Sequence, residues 1–360
     1  MQDFPELLER LESRRPVRRV LVVKPSALGD VVQCLPLLGP LRRRFPEAEI
    51  AWTIGRESAG LLEGHPHLSR LHVFDRRGGL RRQLELGTQL RAERYDLVFD
   101  LQGLLRTGLM TWATRAPLRV GLETAREGSR YACHTLLAGT GRQVAAHERY
   151  WRVAEAVGCG NEPRRVELAI STDTRQTVST WLAGLPRPWM ALHAGAKWET
   201  KRWPPDRFAD VAARFAAETG GSCVLVGGPS EVGLAREVLD RLPAGTPSIN
   251  LAGRSSLKEL AVVLEAVDVV LSNDSGPMHL AAAMGTPVTG VFTCTDPILS
   301  GPAGEGHERI ATTVACAAGY HKTCPKSGGE RHACFVELDA ARVWQGVRNI
   351  IARFDARRAG

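Results

Sequence analysis

Short apolar runs, each followed by a longer amphipathic stretch, recur twice along this chain and limit what it can fold into. In the first series the runs lie at 20–23, 49–54, 70–74 and 96–100. Helical spacing follows at 29–44, 80–93 and 103–115, with Pro36 objecting to a continuous first helix. Strands apolar on both faces need cover on both faces, which is the pattern of a parallel sheet between helices. A second series begins after residue 187. Its strands are expected at 189–193, 222–226, 247–251, 267–271 and 287–292, and its helices at 205–219, 230–241, 256–265 and 276–284. The stretch 160–188, with Pro163, Pro186 and Pro188, reads as the connection. A short polar helix is expected within 1–17 and a closing helix at 339–355. The fold class is therefore α/β, with two doubly wound domains in tandem. We expect an N-terminal domain at 1–165, a linker at 166–187, a C-terminal domain at 188–338 and a terminal helix at 339–360. Such domains take ligands at the carboxyl ends of their strands, and a pair of them suggests a cleft between.

Composition excludes several classes. The 360 residues suffice for two cores, and 44% hydrophobic residues spread along the chain exclude disorder as its main state. The most apolar windows, such as 260–272, are too short to span a bilayer and carry Glu265 and Asp268. Eight cysteines are too sparse for a disulfide scaffold. Glu6, Glu9 and Glu12 stand where an export signal would be apolar, so a reducing cytoplasm is expected. The net charge is +8, and only six of the 47 lysines and arginines are lysines. Codon bias accounts for most of that arginine excess, and an anionic partner is the functional alternative. Basic clusters occur at Arg42, Arg43 and Arg44 and at Arg76, Arg77, Arg81 and Arg82. No aromatic residues interleave with them, so nucleic acid is not expected.

Four strand-following loops carry the candidate chemistry. In Lys24-Pro25-Ser26-Ala27-Leu28-Gly29-Asp30, Asp30 either caps a helix or serves as a general base, and spacing alone favours the cap. A GxGxxG dinucleotide fingerprint is absent there. The loop from His193 to Pro204 holds Lys197, Lys201 and Arg202 ahead of a helix start. It reads equally as a phosphate site or as a solvated basic turn anchored by Trp198 and Trp203. Ser272-Asn273-Asp274-Ser275-Gly276-Pro277-Met278-His279 opens another helix. Backbone N–H groups and the helix dipole favour an anion beside Asp274, Ser275, Gly276 and His279. In Val226-Gly227-Gly228-Pro229-Ser230-Glu231, Glu231 suits either ribose hydroxyls or the first turn of a helix.

Taken together, VLVVKPSALGD at 20–30, YDLVFDLQGLLRTG at 95–108, HAGAKWETKRWP at 193–204 and SNDSGPMHLAAAMGTPV at 272–288 resemble glycosyltransferase family 9, the ADP-heptose:lipopolysaccharide heptosyltransferases. The resemblance runs from about residue 18 to 350. It implies a GT-B fold of two Rossmann-like domains facing across a cleft, with the last helix returning to the first domain. It implies an inverting transfer of heptose from ADP-heptose to the lipopolysaccharide inner core, with no catalytic metal and no required cofactor. Asp30 would be the base, and Lys201 would stabilise the departing diphosphate. Lys197, Glu231, Asp274, Ser275, Gly276 and His279 would hold the donor; Lys24, Ser26 and Gln102 would serve the acceptor. The loop 293–302 would help surround the base or sugar. The partner would be an anionic glycolipid, lipid A with its inner core, met by a cytoplasmic protein in peripheral contact with the membrane's inner face. Alternatives are a protein or other glycan acceptor, a nucleotide-sugar epimerase, or a non-catalytic nucleotide-binding module. Cys316, Cys324 and Cys334 with His321 are candidate ligands for a structural zinc or iron. Family members usually carry a further cysteine where this chain has Gly319, and the spacing favours reduced thiols in a loop.

Overall fold

The computed structural model describes Glu9, Leu11 and residues 16–359, with side chains as far as Arg353. The helix expected within 1–17 lies largely outside the described residues. The chain forms two compact units that divide between Ala169 and Ile170.

Among the described residues the first unit holds six strands: β1 (Arg19–Val23), β2 (Glu49–Gly55), β3 (Arg70–Phe74), β4 (Leu97–Asp100), β5 (Leu118–Leu122) and β6 (Thr135–Leu137). Its helices are α1 (Leu28–Cys34), α2 (Leu38–Arg44), α3 (Arg56–Leu62), α4 (Gly79–Ala92), α5 (Leu105–Ala113) and α6 (Ala146–Ala156). The sheet is parallel in the order β3-β2-β1-β4-β5-β6. The order reverses between β1 and β4, where Val23 lies opposite Asp100. Their two following loops therefore share the crevice at the carboxyl edge, the usual ligand position in such sheets. The helix expected over 29–44 is interrupted: Leu35–Leu37 is a single 3₁₀ turn between α1 and α2. Pro36 explains it, because proline lacks the N–H that a continuous helix would use. Strands β5 and β6 and helices α3 and α6 were not expected. β5 carries Arg119 in its middle and β6 has only three residues, so neither reads as a buried apolar run.

The second unit repeats the scheme with β7 (Trp189–His193), β8 (Ser222–Leu225), β9 (Ser248–Asn250), β10 (Val269–Asn273), β11 (Val288–Phe292) and β12 (Glu308–Ala311). Its helices are α7 (Thr172–Leu182), α8 (Pro205–Thr219), α9 (Val232–Leu239), α10 (Leu257–Ala266), α11 (Gly276–Ala283), α12 (Ala333–Glu337) and α13 (Ala340–Ala359). The order β12-β11-β10-β7-β8-β9 reverses between β7 and β10, whose ends bring His193 opposite Ser272. Inside the stretch read as a connection, α7 is a formed helix. Ser171 caps it by accepting from the Thr174 N–H, and Val178 and Leu182 are buried. Helix α13 packs against α8, β11 and β12 of this unit through Val343, Trp344, Val347 and Ile350. Trp203 is fully buried in the same core and donates its indole N–H to the Leu338 carbonyl at 2.7 Å. Truncating such a side chain costs about 3–5 kcal/mol.

Candidate functional site

At the first unit's reversal, the loop after β1 is fixed from below. The fully buried Trp52 donates its indole N–H to the Lys24 carbonyl. Gly55 approaches so closely that a Cβ there would lie 2.5 Å from the Pro25 carbonyl oxygen. Lys24 is itself buried. Its ammonium donates to the Leu101 carbonyl at 3.2 Å, lies 4.9 Å from the Tyr150 ring centre and stands 3.8 Å from Asp30 Oδ1. Asp30 takes the capping part that its spacing allows and a second contact besides. Its Oδ2 accepts the Ala27 N–H at 3.2 Å, as a residue in the third position of α1 does in a capping box. Its Oδ1 accepts the Tyr150 hydroxyl at 2.7 Å, and the side chain keeps 35% of its surface exposed. Burial, reinforced by the Asp30 carboxylate, pushes the Tyr150 phenol well above its usual value. The phenol therefore stays protonated and donating.

The loop after β4 joins this cluster. Gln102 Oε1 accepts the Ser26 N–H at 3.3 Å. Asp100 Oδ1 accepts the N–H groups of Gln102 and Gly103, both at 3.0 Å. Burial raises the Asp100 carboxyl, against those N–H bonds, and its Oδ2 is buried with no hydrogen-bond partner among the described residues. Lys24, Ser26, Asp30 and Gln102 are thus brought together as the motif order suggests. Asp100 and Tyr150 are additions. Asp100 stood inside a quoted motif as an acid at a strand end. Tyr150 gave no signal, because it lies 120 residues from Asp30 and meets it only through the packing of α6 on α1.

At the second unit's reversal two clusters adjoin. In one, Lys201 Nζ donates to Asp274 Oδ2 at 2.6 Å, and the Thr295 hydroxyl donates to the same oxygen at 2.6 Å. Lys201 also lies 4.8 Å from the Trp198 ring centre. In the other, His193 ends β7 at 1% exposure. Its Nε2 lies 3.1 Å from Glu231 Oε2 and its Nδ1 3.0 Å from the Ser275 hydroxyl. The Gly228 N–H donates to Glu231 Oε2 at 2.8 Å. A Cβ on Gly195 would lie 1.9 Å from Glu231 Oε1, so a larger residue there would push the Glu231 side chain from its place beside His193. Burial alone would raise the Glu231 carboxyl; His193, the Gly228 N–H and Arg202 outweigh it and hold it below the usual carboxylate value. Asn273 ties the loops together, accepting the Trp203 N–H and donating to the Ala194 carbonyl.

Ser275 precedes α11 without a side-chain cap, since its hydroxyl turns to His193 instead. The first-turn N–H groups of α11, with the dipole behind them, suit an anion at Gly276. His279 is buried one turn further on. Lys197 is exposed, and no hydrogen bond, ion pair or ring contact among the described residues ties it to either cluster. His193 and Thr295 were not among the expected site residues, although a histidine closing a buried strand at the reversal was a readable signal.

The cysteine segment does not supply a ligand set. Among the described residues no group of three or more His, Cys, Asp or Glu side chains is positioned to hold a metal ion. Cys334 is buried and its thiol is pushed up to about 11, first by burial and then by Cys316 and Cys324. His321 is exposed, and its carbonyl accepts the Thr200 hydroxyl. Cys316, Cys324 and Cys334 are free cysteines, the last of them in α12, and with His321 they do not form such a group among the described residues.

A family model described as glycosyltransferase family 9 (heptosyltransferase) matches residues 83–328. The lipopolysaccharide core heptosyltransferase OpsX of Haemophilus influenzae is 26% identical over 292 residues, covering 79% of this chain and 82% of its own. Lipopolysaccharide heptosyltransferase 1 of Pseudomonas aeruginosa is 29% identical over 361 residues, covering 90% and 96%. Among solved structures, the ADP-heptose lipopolysaccharide heptosyltransferase II of Escherichia coli shares the fold with a TM-score of 0.75 at 22% identity, over 94% of this chain and 99% of that one.

Proposed function

The chain belongs to glycosyltransferase family 9, and from that premise we propose that it moves heptose from ADP-heptose to a hydroxyl of the lipopolysaccharide inner core, with inversion and without a catalytic metal. The observation that carries this reading is the Asp30 carboxylate, held by Tyr150 and the Ala27 N–H with the buried Lys24 3.8 Å away. It is partly exposed and at the carboxyl edge of its sheet. In the reaction Asp30 takes the acceptor hydroxyl's proton as that oxygen bonds to the anomeric carbon. The bond from that carbon to the diphosphate breaks, and ADP leaves with the electron pair. One displacement from the opposite face inverts the centre.

Charge then grows on the diphosphate, where Lys201 and the N–H groups opening α11 at Ser275 and Gly276 stabilise it. Asp274 orients Lys201, His279 stays near the phosphates, and Lys197 reaches the donor from its exposed loop. Glu231 accepts from the ribose hydroxyls. Lys24, Ser26 and Gln102 hold the acceptor. The name of the Escherichia coli relative supports the donor, and the names of the relatives in Haemophilus influenzae and Pseudomonas aeruginosa support the acceptor. We place the protein in the cytoplasm, in peripheral contact with the inner face of the membrane. No helix among the described residues is long and apolar enough to cross it.

Two measurements test the proposal. ADP is expected to raise the melting midpoint and UDP to leave it unchanged; at a hundredfold excess over Kd the stabilisation is about 2.7 kcal/mol. ADP release from ADP-heptose is expected only when lipid A carrying its inner core is added. Release with a protein or another glycan instead would move the acceptor. An altered sugar without acceptor would make the protein an epimerase, and ADP binding without turnover would make it a binding module.

A further inference from the structure

Two helices and a turn on the first unit carry apolar side chains that the core does not use. Helices α4 and α5 lie side by side, since a Cβ on Gly87 would sit 3.6 Å from the Ala113 Cβ. On the other flank of α5, a Cβ on Gly108 would meet the Ser129 Cα at 2.8 Å, so the Ser129–Ala132 turn lies against that helix. The core-facing positions are Leu86 and Leu90 on α4 and Thr107, Met110 and Thr111 on α5. The outward positions are also apolar. Leu80 and Leu84 on α4 are 79% and 72% exposed. Leu105, Leu109 and Trp112, spaced to share one face of α5, are 52%, 55% and 60% exposed, and Tyr131 on the turn is 85% exposed. These six are the majority of the eleven strongly exposed large apolar side chains among the described residues. Leu80 and Leu84 stand at 7 and 3 residues before Gly87, on its α5-facing side, so the apolar positions run across both helices to the turn.

The surrounding charge selects the occupant. Arg76 and Arg77 precede α4, Arg81 and Arg82 lie on it, Arg106 lies on α5, and Arg130 adjoins Tyr131. Arg81 and Arg82 share Glu85, while Arg76, Arg77 and Arg130 make no ion pair among the described residues. A twofold contact with a second copy would set this arginine rim against itself. An anionic bilayer offers the complement: headgroups for the arginines, and an interface in which leucine, tryptophan and tyrosine side chains settle. Both helices start at the carboxyl edge of the sheet, the edge that holds Lys24 and Asp30.

We propose that the α4–α5 face and the Ser129–Ala132 turn dock this protein on an anionic membrane, presenting the acceptor edge of the first unit to the lipid surface. The inference rests on the reading of the acceptor as a membrane glycolipid. The full chain is mixed with vesicles of phosphatidylcholine alone or with added phosphatidylglycerol, and the bound fraction is measured by cosedimentation. Binding to the anionic vesicles is expected, falling as salt rises. The double variant Leu109→Ser, Trp112→Ser should lower the partition coefficient about tenfold or more. Arg76→Ser and Arg77→Ser should each lower it about fivefold. All of these positions are on the surface, so the melting midpoint and its rise with ADP should hold. Equal binding to both vesicles, or unchanged binding by the double variant, would overturn the proposal. So would a dimer in sedimentation that the double variant dissociates. Loss of the ADP response in the parent chain, with the vesicle pattern intact, would end the donor assignment and leave this surface standing.

Discussion

The two sheet reversals hold their aspartates in different ways. Asp30 receives neutral donors, a phenol on one oxygen and a backbone N–H on the other, and its nearest ammonium stands off at 3.8 Å. Asp274 is in direct contact with Lys201, takes the Thr295 hydroxyl on the same oxygen, and is only 6% exposed. A carboxylate bound to an ammonium in a shielded site is committed to positioning that ammonium. One that bonds a phenol and a backbone N–H and keeps 35% of its side chain exposed can be reached by an incoming hydroxyl. Asp30 lies in the first turn of α1, after β1, and Asp274 in the loop after β10, so the two reach their reversals from different strands; on the proposed reading the first is the base and the second orients Lys201.

The largest expected effect lies on the Asp30 side. Asp30→Asn keeps the size of the side chain and removes its basicity, so kcat should fall about a thousandfold, while the ADP-induced rise in melting midpoint persists. A kcat within a few-fold of the parent would take the base role from Asp30 and abolish the contrast. Next is Lys201→Ala. On the proposed reading it removes the cation that meets the diphosphate, and it leaves Asp274 with the Thr295 hydroxyl but no ammonium, so kcat/KM should fall about a hundredfold. Donor affinity and the melting midpoint should fall with it. Unchanged donor affinity would show that the pair is structural.

These predictions rest on residues of unequal legibility. The reversal loops were readable because they follow buried apolar strands and carry glycines and charges, and motif order assembled Lys24, Asp30, Lys201 and Asp274. Strands β5, β6 and β12 were not readable. They lie toward or at the sheet margins, where short strands and residues such as Arg119 and Glu308 break the apolar run. Helix α7 was hidden by the prolines around it, although its Ser171 cap was in plain sequence. Tyr150 had no local signature at all. Its role depends on α6 docking on α1, a tertiary contact that no window of sequence contains.

That contact yields a smaller, sharper test. Tyr150→Phe removes one donor from Asp30 and leaves the ring beneath Lys24 in place. Turnover should fall about tenfold. The ADP-induced rise in melting midpoint should persist, because the cluster around Lys201 is untouched. A purely structural tyrosine would lower stability and leave turnover of the folded protein within a few-fold of the parent.

The smallest effect belongs to Glu231, on the donor side. Glu231→Gln preserves shape and removes the charge facing His193, so ADP affinity should fall about threefold to tenfold. The pH dependence fixes the sign of its contribution to stability. The Glu231 carboxyl lies below its ordinary value of 4.5 in the folded chain, because His193, the Gly228 N–H and Arg202 outweigh the burial that would raise it. As pH falls past 4.5 the unfolded chain takes up the proton first, and the folded chain follows only at lower pH. The stability difference between parent and Glu231→Gln should therefore be full near neutral pH. It should shrink below 4.5 and vanish once the folded carboxyl is protonated. Denaturant titrations of both proteins across that range measure it. A difference that grows on acidification would mean that the folded chain holds the Glu231 carboxyl protonated.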